Sequence, residues 1–262
     1  MSVTISAVII TKNEEQNIER CLQAIEGWVD EIVVVDSHST DRTREICTRF
    51  SKMRFVGHNW EGFSKTKNVA NGFATMDYIL SLDADEEISI ELREKLLELK
   101  NNLVPGDRKA YEIDRLTNYC GQWIWHSGWR PDYQMRFFPR GLAAWDGAEV
   151  HETIQLKEIV ERHRIEKVYL YHYSFYSIAD HIERVNRYSS LGAEKIVRLK
   201  KGALVFRAIF NGLFRFYKSY FIKLGILDGF YGFVIAVVSA YAVFLKYAKA
   251  HQIMKTKKAP NR

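Results

Sequence analysis

The period of the hydrophobic pattern changes repeatedly along the first eighty residues. Residues 3–10 form an apolar, β-prone run, as expected for a buried strand. Residues 13–25 switch to helical spacing, with Ile18, Cys21, Leu22 and Ile25 on one side. Residues 31–35 are short and strongly β-prone, and 41–50 predict a helix with Ser39 or Thr40 as its cap. A weak strand over 54–57, a helix over 65–75 and a strand over 78–82 follow. This alternation predicts an α/β fold, a mostly parallel sheet with helices on both faces. Further on, 91–103 predict a surface helix and 109–119 and 167–173 predict strands. From Ser177 to the end the pattern is helical.

Open parallel sheets bind ligands at the carboxyl ends of their strands, and the polar clusters fall at those ends. Thr11-Lys12-Asn13-Glu14, Asp36-Ser37-His38-Ser39 and Asp83-Ala84-Asp85-Glu86 each close a strand, so they are expected to line one crevice. Carboxylates spaced i, i+2 suit magnesium or manganese, which takes one or two carboxylates together with substrate phosphates. Such a metal offsets charge on a departing diphosphate. A bare Asp-x-Asp is as readily a solvated turn, so its place after a buried strand carries the reading. Asp36 can accept hydrogen bonds from a base or ribose, or it can cap a turn with Ser37–Thr40.

Later segments add candidates. Glu152, or Glu149 near it, can take a proton from an attacking hydroxyl, and His151 can ligate metal or contact phosphate. Strand alternation would put Glu149 and His151 on one face and Glu152 on the other. Arg130 and Arg136 suit a diphosphate or an acidic acceptor. Trp123, Trp125 and Trp129 either stack on sugar faces or fill a core.

Composition narrows the class. A chain of 262 residues, 47% apolar, has room for one large domain or a domain with an appendage. Its three cysteines are far apart with no CxxC pair, which argues against a disulfide framework or zinc knot and for a reducing cytoplasm. Residues 1–11 lack a basic leader and read as a first strand, not a signal peptide. The net charge of +6 hides an asymmetry: residues 195–262 carry 14 bases and one acid, Asp228, while residues 1–194 sum to −7. A basic, aromatic tail on an acidic body is expected to meet something anionic. Residues 229–245 are uncharged for 17 positions, short of the ~20 that a spanning helix needs. Residues 204–224 mix Phe and Tyr with Arg207, Arg215, Lys218 and Lys223, the pattern of an interfacial helix. The expectation is peripheral or monotopic attachment to an anionic membrane surface, against a packed hairpin or a dimer interface. The tail has no zinc or RRM-type motif, so nucleic acid is not an expected partner.

Val8-Ile9-Ile10-Thr11-Lys12-Asn13-Glu14, Val34-Val35-Asp36-Ser37, Lys67-Asn68 and Leu82-Asp83-Ala84-Asp85-Glu86 together resemble the inverting family 2 glycosyltransferases with the GT-A fold. Gln134-Met135-Arg136-Phe137-Phe138 and Val150-His151-Glu152 are similar to the subgroup that builds lipopolysaccharide core, as are Gly225-Ile226-Leu227-Asp228-Gly229 and Phe244-Leu245-Lys246-Tyr247-Ala248-Lys249. The resemblance implies a GT-A (Rossmann-like) catalytic domain over 1–176 and matches the subgroup's tail over the helical extension 177–262, whose membrane association is expected from its charge and aromatic pattern. Thr11, Glu14 and Asp36 would hold the nucleoside, with Lys67 near the phosphates and Arg136 toward the leaving diphosphate. Asp83 would contact ribose or metal, Asp85 would ligate the metal, and Glu86 would fall in a helix's first turn. Glu152 becomes the preferred base. The Gln-x-x-Arg-Trp motif of processive synthases is missing, which favours transfer of a single sugar. The implied activity is inverting transfer from a nucleotide sugar, a UDP-sugar by preference, to a lipid-linked glycan at the cytoplasmic face of the inner membrane. A polyprenyl-phosphate acceptor is the alternative. A nucleotidyltransferase would want a Gly-rich basic loop after the first strand, which Thr11-Lys12-Asn13-Glu14 is not. Whether the chain forms a homo-oligomer stays open.

Overall fold

Every residue of the first strand, β1 (Ile5–Thr11), is buried, so the sheet is covered on both faces at its centre. Side chains alternate across a strand, and two cores result. Ile5, Ala7 and Ile9 pack with Ile18, Leu22 and Ile25 of α1 (Ile18–Ile25). Val8 and Ile10 pack on the opposite face with Val33 and Val35 of β2 (Glu31–Asp36) and with Ala70. After β2 come α2 (Thr43–Cys47), β3 (Met53–Gly57), α3 (Phe63–Gly72) and β4 (Tyr78–Asp83). Then follow β5 (Glu86–Ile88), α4 (Ile90–Asn102), β6 (Lys109–Tyr119), β7 (Gln122–Trp123) and β8 (Tyr133–Pro139). The strands β9 (Ala143–Trp145), β10 (Ile154–Leu156) and β11 (Glu161–Phe175) complete the β structure. This computed structural model describes residues 2–147, 153–157, 160–199 and 202–258.

The main sheet runs β3-β2-β1-β4-β8-β6-β11-β5, with β7 paired to β6. β3, β2, β1 and β4 are mutually parallel, and β8 then joins β4 and β6 antiparallel. The expected α/β architecture is therefore present, and its parallel half is the half that strand–helix alternation predicts. Several helices are shorter than expected. Residues 13–17 leave α1 because the N–H groups of Glu14 and Glu15 donate to Thr43 Oγ1 (2.8 Å) and Asp41 Oδ2 (3.0 Å). Neither Ser39 nor Thr40 caps α2, whose N-cap is Arg42, because Ser39 is committed to Asp36.

The chain divides into two compact units, Met1–Leu116 with Asp132–Tyr173, and Thr117–Pro131 with Ser174–Arg262. The expected boundary after residue 176 lies close to the change at 173. The aromatic segment Thr117–Pro131, expected in the catalytic part, instead belongs to the helical unit. The reason is a buried carboxylate. Asp228, 3% exposed, accepts from the backbone N–H of Trp125 (3.0 Å) and His126 (3.1 Å) and from Ser127 Oγ (2.7 Å). Tyr119 and Ile124 then pack against Ile235.

In this second unit α5 (Ile178–Arg198) starts in a capping box formed by Ser177 and Asp180. An antiparallel hairpin follows, α6 (Leu204–Tyr217) and α7 (Gly229–Lys258), joined by a π turn over Lys218–Ile222 and a 3-10 turn over Gly225–Asp228. Leu204 and Ala208 cluster with Tyr247 and Ala250, and Gly212 approaches the Ala240 carbonyl. Gly232 is required at the hairpin's turn, since a Cβ there would fall 1.8 Å from the Gly225 carbonyl oxygen.

His181 of α5 is buried and meets the Tyr119 hydroxyl at 3.0 Å through Nδ1. Burial first, then the nearby Arg184 charge, push its pKa down to about 4. The folded value lies below the ordinary one, so the fold favours neutral imidazole. Stability is complete above about pH 6.5 and falls as pH drops toward 4, because the unfolded chain takes the proton first. The total is roughly 3 kcal/mol. Urea unfolding followed from pH 7.5 to 4.5 is expected to show this loss, and His181→Asn to flatten it. An unchanged slope in that variant would remove His181 as its source.

Candidate functional site

Strand register brings the three polar strand ends together. Thr11 pairs with Asp36 across β1 and β2, and Ile10 pairs with Asp83 across β1 and β4. The loops after β1 and β2 are latched to each other, with Asn13 N–H donating to Ser39 Oγ and Thr40 N–H to Asn13 Oδ1, both at 2.8 Å. Asn13 and His38 turn these loops in the left-handed region, at φ 54° and 56°. Asp36 is buried and accepts from Ser39 through both oxygens, from N–H at 2.9 Å and from the hydroxyl. This is a turn arrangement, and it leaves a carboxylate with lone pairs to spare. Thr11 Oγ1 and Ser37 Oγ are buried without a hydrogen-bond partner. Such groups cost free energy when left unsatisfied, so a polar ligand reaching these two strand ends would relieve that cost.

The acidic turn between β4 and β5 is held by cations. Lys67 Nζ of α3 lies 2.8 Å from Asp83 Oδ1, and Arg136 of β8 lies 2.6 Å from Asp83 Oδ2 and 2.5 Å from Glu86 Oε1. Arg115 of β6 reaches Glu86 at 3.5 Å and Asp132 at 2.8 Å. Glu86 Oε2 accepts the Asp83 N–H at 3.0 Å, which closes the turn on itself. His172 Nε2 of β11 lies 3.2 Å from Asp85 Oδ2. Burial opposes ionisation of Asp83, but the Arg136 and Lys67 charges outweigh it and hold the carboxyl well below the usual carboxylate range. Burial likewise opposes ionisation of Asp85, and His172 turns the balance downward. Both acids are thus ionised at neutral pH, and their side chains keep 24% and 20% of their surface exposed. Lys67 also stacks over Trp145, 4.3 Å from the ring centroid. Asn68 clamps the Trp145 backbone through two hydrogen bonds of 2.8 and 2.9 Å.

Of the candidates from the sequence, Thr11, Asp36, Lys67, Asp83, Asp85 and Arg136 lie in this region. Glu14, on the latched loop, accepts from Asn17 Nδ2 at 2.8 Å. Glu149, His151 and Glu152 lie outside the described residues. Among the described residues no group of three His, Cys, Asp or Glu side chains forms a metal cluster. Magnesium and manganese do not need one, since two carboxylates and substrate phosphates suffice, and Asp83 and Asp85 fit that role. Glu86 does not open a helix. It is in β5, 1% exposed, and ties two arginines. The sequence reading passed over His172 and Arg115, which reach the turn only through strand pairings that their spacing along the chain does not reveal. In the second unit Trp129 packs beside Tyr119 and Phe175, while Trp125 is exposed beneath the Arg130 guanidinium.

The family described as Glycosyl transferase family 2 matches residues 6–141. An uncharacterized glycosyltransferase of Rickettsia typhi is 31% identical over 95% of this chain and 87% of its own. The lipopolysaccharide core biosynthesis glycosyltransferase LpsC of Rhizobium meliloti is 30% identical over 98% of this chain and 95% of its own. Among solved structures, a mannosyltransferase from Pyrobaculum calidifontis in complex with GDP-Man and Mn2+ is 15% identical, with a TM-score of 0.49, over 99% of this chain and 77% of its own. At that score the likeness says nothing about what this chain binds.

The network makes Arg136 the residue whose loss exposes most uncompensated charge. Arg136→Met is expected to destabilise the fold by about 3–5 kcal/mol in urea unfolding. Arg42→Met, which removes a surface pair with Glu15, should cost under about 1 kcal/mol. Equal effects of the two would show that the Arg136 network is not a lock.

Proposed function

The chain belongs to glycosyl transferase family 2, and from that premise we propose that it moves one sugar from a nucleotide sugar to a lipid-linked glycan with inversion. The observation that carries the donor half is the meeting of Thr11, Asp36 and Asp83 at three neighbouring strand ends, with Asp85 two residues on. Thr11, Ser37 and Asp36 would take the nucleoside, with Glu14 on the same latched loop. Lys67 would sit near the phosphates, and Arg136 would act chiefly through the Asp83 carboxylate it holds. The lipid-linked acceptor draws its support from the name of the relative LpsC and from the basic second unit. An acceptor of that class puts the enzyme at the cytoplasmic face of the inner membrane.

The reaction asks three things of these residues. The acceptor hydroxyl loses its proton to Glu152, the proposed base. Its oxygen attacks the anomeric carbon opposite the diphosphate, so a new carbon–oxygen bond forms as the bond to the phosphate oxygen breaks, and configuration inverts. Asp83 and Asp85 stay ionised throughout, held so by Arg136, Lys67 and His172. Asp85 and Asp83, with His151 as the further candidate, would hold magnesium or manganese, which would supply positive charge against the leaving diphosphate.

Thermal shift with a panel of UDP- and GDP-sugars, with and without Mn2+, tests the donor half, because a ligand of the native state raises apparent stability. A metal-dependent shift with at least one UDP-sugar is expected, and Asp85→Asn should abolish the metal dependence. Glu152→Gln should keep donor binding and slow transfer about 100-fold or more. Near-normal transfer by Glu152→Gln would discard it as the base, and silence across the whole panel would discard the donor reading.

A further inference from the structure

The second unit exposes apolar surface that a water-soluble protein has little reason to keep. Seventeen of the 27 exposed large apolar side chains among the described residues lie between Val205 and Phe244. On α6 they are Val205, Phe206, Ile209, Phe210, Leu213, Phe214 and Tyr217, each 48–66% exposed. At ~100° per residue they occupy about half the helix circumference. Around the hairpin's turn come Phe221, Ile222, Leu224, Ile226 and Leu227. On α7 they are Phe230, Phe233, Val237, Tyr241 and Phe244, a stripe at steps of three and four residues. Contiguous apolar surface of this extent marks an interaction site.

Charge identifies the partner. The one acid between residues 195 and 262 is Asp228, and it is buried on His126 and Ser127. The described hairpin therefore shows solvent no carboxylate, while Arg207, Lys218 and Lys223 are exposed. On the α6 wheel Arg207 and Lys218 border the apolar arc just beyond Phe214. A second copy of this chain would set that basic border against itself. An anionic lipid leaflet complements both the border and the apolar arc, at ~1 kcal/mol per basic residue near the surface. Gly225–Thr256 is long and apolar enough to cross a membrane by length and composition. Two facts oppose crossing. One side of α7, with Ile235, Ala236 and Val238, is buried within the protein. Its partner α6 has 14 residues, or ~21 Å, against a hydrocarbon core of ~30 Å.

We infer that the α6–α7 hairpin lies in the plane of an anionic phospholipid leaflet, with the exposed apolar residues of α6 and the Phe230–Phe244 stripe as its lipid-contacting residues and Arg207 and Lys218 at the headgroups. The inference shares only the membrane with the proposed function, since it does not depend on donor chemistry.

The test is flotation of the full chain, without nucleotide sugar, on phosphatidylglycerol-containing vesicles and on phosphatidylcholine alone. Binding to the anionic vesicles is expected, weaker by about tenfold on phosphatidylcholine or in high salt. The double variant Phe210→Glu/Leu213→Glu changes exposed positions and should keep its unfolding midpoint while losing flotation. Arg207→Glu/Lys218→Glu should lose the preference for anionic lipid. Unchanged flotation of the Phe210→Glu/Leu213→Glu chain would overturn the assignment. So would a concentration-dependent dimer in sedimentation, with no vesicle binding, that this variant dissolves. Retention of the membrane-bound chain after alkaline carbonate extraction would overturn the in-plane placement in favour of a span. Loss of donor binding in the thermal-shift panel would leave flotation untouched, so the two readings fail separately.

Discussion

A guanidinium that is almost out of water must be paired, and the first unit is arranged around that requirement. Arg136 is 2% exposed and is shared by Asp83 and Glu86. Those two carboxylates flank the tight turn between β4 and β5, so one cation fixes both ends of the acidic loop. It does so from β8, the strand that joins the parallel half of the sheet to the antiparallel half. Burying an ion pair is at best a neutral route to stability, since desolvation consumes much of the Coulomb gain. What the pairing supplies here is position and charge state. Asp83 is held ionised against its burial, on an edge that still has exposed surface.

The parallel half of this fold was legible because its signals are local. The residues of β1 alternate between two cores, the helix that follows shows its buried face in Ile18, Cys21, Leu22 and Ile25, and the polar residues begin where the strand stops. The same local reading puts Thr11, Asp36 and Asp83 at strand ends, and neighbouring strand order brings those ends together. It failed where the partner is remote. Glu86 looks like a helix start until β11 pairs with β5 and Arg136 and Arg115 arrive from other strands. His172 carries no motif and matters only because its register partner is Glu86, next to Asp85. The segment Thr117–Pro131 reads as part of the catalytic region, yet Asp228, about a hundred positions later, takes its N–H groups and carries it into the helical unit.

The two units divide the chain's charge as well as its fold. The basic surplus sits almost wholly in residues 195–262, whereas the remainder is acidic. The basic segment 195–262 tolerates its one acid because that acid is enclosed, bonded to backbone N–H groups and a serine hydroxyl. Asp228 thus organises the aromatic segment without spoiling an otherwise positive surface. An exposed carboxylate near the hairpin would weaken its attraction to anions, so the burial of Asp228 serves packing and electrostatics together.

Charge balance in the acidic turn bears on the cation. Lys67, Arg136 and Arg115 are matched by Asp83, Glu86 and Asp132, three against three. Asp85 adds a further carboxylate, faced by His172. Among the described residues this network leaves no surplus positive charge for a diphosphate, which would arrive with negative charge of its own. Lys67 and Arg136 cannot be lent to it outright, because releasing Asp83 leaves a carboxylate poorly solvated and unpaired. Asp83 and Asp85 keep exposed edges, and the metal proposed above would be held there without releasing Asp83 from its protein partners. The neutrality that ties the loop together makes it a poor diphosphate site by itself, and that is the deficit the proposed metal would supply.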